Sequence, residues 1–156
     1  MIYLVTYNDL LIEADNNLLI TKEKPLRANK GRIKGNRIAI KEDMTELEKK
    51  CVLAEELGHH YTTVGDIMDQ SDASNRKQER RARIWAYHKL LSLDDFVASY
   101  QCGCRNRYEI ADHLNVTEEF LIDCLAYYRE KYGLYTKHKN YVVYFDPLGI
   151  LSLIEQ

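Results

Sequence analysis

An α+β fold is predicted by three features of the sequence. Apolar residues alternate with polar or small ones on both sides of Gly35-Asn36, the pattern of a two-residue hairpin. Thr45-Glu46-Leu47-Glu48 has the spacing of a capping box and opens a helical stretch. A β-type run, Tyr141 to Phe145, follows further helical patterns. A small antiparallel N-terminal sheet therefore comes first, helices follow, and short strands return near the end. The 156 residues suit a single domain, 1–156, with a core at 1–100 and a helical pair plus late strands at 101–156 packed on it.

Each element has its own signal. Residues 2–16 form a candidate first helix. Leu18 to Thr21 and Pro25 to Ala28 look extended. Arg32-Ile33-Lys34 and Arg37-Ile38-Ala39-Ile40 form the hairpin arms. The capped helix runs from Thr45 to about Thr63, and Gly65-Asp66 breaks it. Polar residues 67–75 read as loop. A long helix is expected from about Asn75 to Leu91, with further helices near 107–114 and 117–132. Thr117 is a natural N-cap and Gly133 a natural stop.

Composition narrows the function classes. The formal net charge is -2, so no bulk basic field points to nucleic acid. No apolar run approaches the roughly 20 residues that span a bilayer. Met1 to Leu11 lacks a basic start and contains Asn8 and Asp9, so it does not read as a signal peptide. A cytoplasmic setting is the expectation. The four cysteines, Cys51, Cys102, Cys104 and Cys124, are then expected as reduced thiols.

The helix at 45–63 carries the candidate chemistry. At about 100° per residue, Leu47, Cys51, Ala54, Gly58 and Tyr61 fall on one stripe, read as the buried face. Glu55 and His59 lie at its edge, four apart, with side chains able to converge. Such a pair either holds a metal, with the adjacent Glu56 polarising water, or is an ordinary helix-surface pair. A third ligand has to come from elsewhere. Glu79 lies on the next strong helix, and Ala82 and Ala86 on its face allow close helix approach. Its alternative role is a plain pair with Arg83.

Leu53-Ala54-Glu55-Glu56-Leu57-Gly58-His59-His60 resembles the active-site helix of the ImmA/IrrE metallopeptidases, usually written H-E-L-G-H. Glu79-Arg80-Arg81-Ala82-Arg83-Ile84-Trp85-Ala86 resembles their second motif, E-x-x-A-[ND]-x-F-A. The strand Ile38–Ile40 and the stretch Tyr108–Leu125 fit the family's order, so the resemblance spans most of 25–130. It implies a zincin-like metallopeptidase domain in the short form of phages and mobile elements. It also implies Glu55, His59 and Glu79 as metal ligands and Glu56 as the general base. The implied cofactor is one divalent metal, zinc first, with manganese or iron as alternatives. The implied partner is a transcriptional repressor, as substrate or binding partner, with no direct nucleic acid contact and no membrane. Two departures stand out. Glu55 replaces a ligand histidine, which adds a negative charge and hardens the donor set. Arg83 replaces the small polar residue expected to support the second motif.

Other features carry less. His60 reads as a solvated surface residue. Asp66 is an alternative ligand. Arg76, Lys77, Arg80, Arg81 and Arg83 form a local basic run. Residues 109–128 resemble a helix-turn-helix, with Val116, Phe120, Leu121 and Leu125 apolar. Glu118, Glu119 and Asp123 make its second helix acidic, which disfavours phosphate contact. Cys102 and Cys104, with His113 and Cys124, match no strong zinc spacing. Three functions follow: a peptidase cutting a repressor, a non-catalytic antirepressor module on the same fold, and a helix-turn-helix DNA-binding protein.

Overall fold

A computed structural model of the chain describes residues 3–63 and 72–154. They fall into two compact units, one spanning Val5–Leu90 and the other taking 91–154 with Tyr3 and Leu4. Among the described residues no helix is long and apolar enough to cross a membrane.

The first unit begins with α1 (Tyr7–Asn16). Thr6 and Asp9 cap it reciprocally: the Asp9 amide donates to the Thr6 hydroxyl at 3.0 Å, and the Thr6 amide donates to the Asp9 carboxylate at 2.8 Å. The helix therefore starts at Tyr7, later than the residue 2 read from the sequence. Strands β1 (Ile20–Lys24), β2 (Gly31–Lys34) and β3 (Arg37–Lys41) follow, in spatial order β1-β3-β2. Pro25 to Ala28, expected to be extended, joins no strand. The β2–β3 hairpin is antiparallel, with Lys34 opposite Arg37. Gly35, at φ +60°, takes the first turn position, where a side chain is disfavoured. The α+β class stands, but only this half of the sheet is antiparallel. β1 runs parallel to β3, with Ile20 opposite Arg37. That arrangement needs the crossover through residues 25–30 and leaves no local sequence signal.

Helix α2 (Glu46–Thr62) lies between the sheet and α3 (Asp72–Leu90). Its Thr45 cap accepts from the Glu48 amide and donates to the Glu48 carboxylate, both at 3.2 Å. Its buried residues include Leu53, Glu56 and Leu57 besides Cys51, Ala54 and Gly58. The covered surface is broader than one stripe because two layers press on the helix. Tyr61, placed on the buried stripe from the sequence, is 38% exposed. It stacks on Trp85 of α3 with ring centroids 4.9 Å apart and accepts from the Asn17 side chain at 2.8 Å. α3 starts at Asp72, so the loop read over 67–75 ends earlier than expected. The expected break at Gly65-Asp66, and Asp66 as an alternative ligand, lie outside the described residues.

The second unit holds α4 (Leu93–Gln101), α5 (Arg107–His113), α6 (Glu118–Tyr132) and an antiparallel sheet of β4 (Tyr135–His138), β5 (Tyr141–Phe145) and β6 (Leu148–Ser152). Tyr128 anchors it: the hydroxyl donates to the Leu91 carbonyl at 2.7 Å and the ring meets Phe96 edge-on. Ile110, Ala111, Val116, Phe120, Leu121 and Leu125 of the α5–α6 pair turn inward. Glu118 of the acidic second helix is held by Arg107 at 2.9 Å.

Candidate metal centre

The sequence places a glycine where α2 and α3 cross. A Cβ at Gly58 would lie 2.9 Å from the Ala82 carbonyl carbon and 3.0 Å from its Cα, and closer still to its oxygen. Only glycine permits this approach. Ala82 and Ala86 are fully buried, so the small face of α3 is the one that meets α2. One residue beyond Gly58 and three before Ala82, His59 and Glu79 face each other across the crossing.

Their side chains meet, with His59 Nε2 3.3 Å from Glu79 Oε1. His59 is 18% exposed and Glu79 55%, so the pair sits at the mouth of the crossing rather than inside it. Glu79 thus reaches across to α2, where the alternative was a pair with Arg83 on its own helix.

Glu56 lies against the sheet and is buried at 8% exposure. A Cβ on Gly31 of β2 would fall 3.0 Å from Glu56 Oε1 and 3.1 Å from its Cγ. The bare backbone of an edge strand therefore runs alongside this carboxylate. Burial, followed by the nearby charges of Glu55 and Glu79, raises the Glu56 pKa from 4.5 to about 7. No signal short of the motif itself marks Glu56 as buried, since a lone glutamate on a helix is ordinarily solvated.

Glu55, half-buried, lies one helical turn before His59 on the same side of α2. Among the described residues, no group of three or more His, Cys, Asp or Glu side chains is gathered closely enough to grip an ion. The structure thus brings together His59 and Glu79, and places Glu55 and Glu56 near enough for their charges to be felt. Burial is the first cause of the raised Glu56 pKa, and the charges of Glu55 and Glu79 add to it. Imidazole and carboxylate are the ligand types a divalent cation takes, so the chemistry of Glu55, His59 and Glu79 suits such an ion.

The remaining candidates sit elsewhere. His60 is half-buried, edge-on to the Tyr61 ring at 5.1 Å. Cys102, Cys104, His113 and Cys124 are not gathered into a metal-holding group. Cys124 is fully buried, and burial pushes its thiol well above the usual range.

The family model for the IrrE N-terminal-like domain of the M78 peptidases matches residues 14–124. Among curated proteins, none matches this chain.

Proposed function

The chain belongs to the IrrE N-terminal-like peptidase family, and on that premise we propose that it is a metal-dependent peptidase acting on a protein partner. The observation that carries the reading is the His59–Glu79 pair, 3.3 Å apart, beside the buried Glu56 carboxyl. Glu55, His59 and Glu79 are the residues that would hold one divalent ion, zinc first and manganese or iron as alternatives given the carboxylate-rich donor set. Such an ion supplies Lewis acidity toward a peptide carbonyl and makes water more acidic.

The chain's own residues do the rest. Glu56 takes a proton from the attacking water and returns it to the leaving amine. Its burial against Gly31 shields that carboxylate from bulk water. β2 is an edge strand, so an extended peptide has free backbone groups to pair with beside Glu56. The family resemblance supports a phage or mobile-element transcriptional repressor as the protein acted on.

A second reading is favoured by Glu55, which stands where the family helix carries histidine. On that reading the same surface binds the repressor and displaces it without cutting. The experiment that separates the two mixes the metal-loaded protein with the repressor encoded beside it. Fragments from the wild type and intact repressor from Glu56→Gln support the peptidase. Intact repressor that still leaves its operator, with Glu56→Gln equally potent, supports the binding module. The helix-turn-helix reading predicts a salt-dependent duplex shift through α5 and α6, which the acidic Glu118, Glu119 and Asp123 oppose.

A further inference from the structure

The first sheet has two faces of very different chemistry. Thr21, Glu23, Ile33, Ile38 and Ile40 share the face turned to the helices. Ile38 and Ile40 are buried there, and Glu23 pairs with Lys49 of α2. The strand registers fix the other face. It carries Ile20, Lys22 and Lys24 from β1, Arg37, Ala39 and Lys41 from β3, and Arg32 and Lys34 from β2. Six of these eight positions are cationic and none is acidic. Among the described residues none of the six is in an ion pair. A cleft of about 320 Å³ opens on this face, lined by five of these cations around a floor that includes Ile20 and Ala39.

The arrangement opposes stability. Lys34 lies directly opposite Arg37, and Lys24 directly opposite Lys41. Like charges facing each other across strands are destabilising. Lysines on β1 and β2 also serve to deter edge-to-edge pairing. That explanation does not reach Arg37 and Lys41, which lie on the central strand.

We propose that this face binds double-stranded nucleic acid through its phosphate backbone, without reading bases. Same-face residues repeat about every 6.5 Å along a strand and about 4.8 Å between strands. The result is an even lattice of full charges that complements an evenly charged polymer. No aromatic ring stands on the face, so a single strand has nothing to stack on. No Asn or Gln stands there to pair with adenine. Ile20 and Ala39 offer the sugars an apolar floor. The proposal stands apart from the peptidase reading, since no residue of the metal centre takes part.

The test is fluorescence anisotropy of a labelled duplex of about 20 bp with the full chain in EDTA, over roughly 50 to 200 mM salt. The expected result is binding that weakens with salt on a log–log slope of about -3 to -5, from four to five phosphate contacts at about 0.9 each. The exposed set Lys22→Gln, Arg32→Gln, Lys34→Gln and Arg37→Gln flattens that slope by about 3 and weakens binding at least about tenfold. The set Lys22→Arg and Lys34→Arg keeps it. Three results overturn the proposal. The chain fails to bind the duplex at low salt. The loss follows Arg76→Gln, Lys77→Gln and Arg81→Gln of α3 instead. Or polyglutamate, or vesicles rich in phosphatidylserine, compete as well as unlabelled duplex at equal charge.

Discussion

Replacing Gly58 with alanine sets two effects of opposite sign against each other. Helix propensity alone favours alanine by about 1 kcal/mol. Packing opposes it, because the new Cβ would lie 2.9 Å from the Ala82 carbonyl carbon and 3.0 Å from Ala82 Cα. Those atoms are backbone in a helix whose Ala82 is fully buried, so they cannot swing aside. Overpacking a fixed site costs about 1–3 kcal/mol, and a backbone obstacle belongs at the upper end, about 3. The net expectation is a loss of about 2 kcal/mol, packing minus propensity. The only tryptophan, Trp85, reports on this crossing, because it stacks on Tyr61 from the facing helix. Urea unfolding followed by Trp85 fluorescence therefore reads the effect where it arises. Gly58→Ala should unfold at lower urea and hold a divalent ion more weakly, since α2 and α3 move apart and His59 leaves Glu79. A variant more stable than the wild type would mean that the close crossing is wrong, and with it the placement of His59.

Three further outcomes follow from single contacts. In metal-free protein, Glu56 binds its proton more tightly folded than unfolded, because its pKa rises from 4.5 to about 7. Stability should be fullest below about pH 4.5 as far as this group is concerned, and fall through pH 7 by about 3 kcal/mol. Glu56→Gln should flatten that fall and exceed the wild type at pH 8 in urea titrations with chelator present; parallel profiles would contradict the burial of this carboxyl. Thr45→Ala removes the bond from the Glu48 amide at the start of α2 and should cost about 1 kcal/mol in the same assay. Tyr128→Phe strands the buried Leu91 carbonyl, and circular dichroism of thermal unfolding should show a loss of about 1–2 kcal/mol.

The parts of the fold that were legible in the sequence are those set by neighbours along the chain. Gly35-Asn36, Thr45, Thr117 and Gly133 each mark a turn or a helix end through local backbone chemistry, and each does so in the structure. The parallel pairing of β1 with β3 was not legible, because it depends on a crossover and not on either strand's own pattern. Helix α4 was missed although Ser92 and Asp95 form a capping box. The width of burial on α2 was also missed. A one-stripe reading assumes a helix with one covered side, whereas α2 is covered by the sheet and by α3, which draws in Leu53, Leu57 and Glu56. The spacing of Glu79, Ala82 and Ala86 did suggest a close approach of α3, and Gly58 against Ala82 is where it happens. The basic sheet face was hidden by averaging. A net charge of -2 over the whole chain says nothing about the alternate positions of three strands, where the cations gather.

Metal content decides whether α2 and α3 together hold a catalytic ion. Purified chain supplied with zinc or manganese and then desalted should retain close to one ion, measured by elemental analysis. Glu56→Gln should retain as much, since Glu56 is cast as base and not as ligand. His59→Ala and Glu79→Ala should each lose most of it while unfolding at similar urea. Retention by both alanine variants equal to the wild type, or no ion held by any of the four under either metal, would contradict the account.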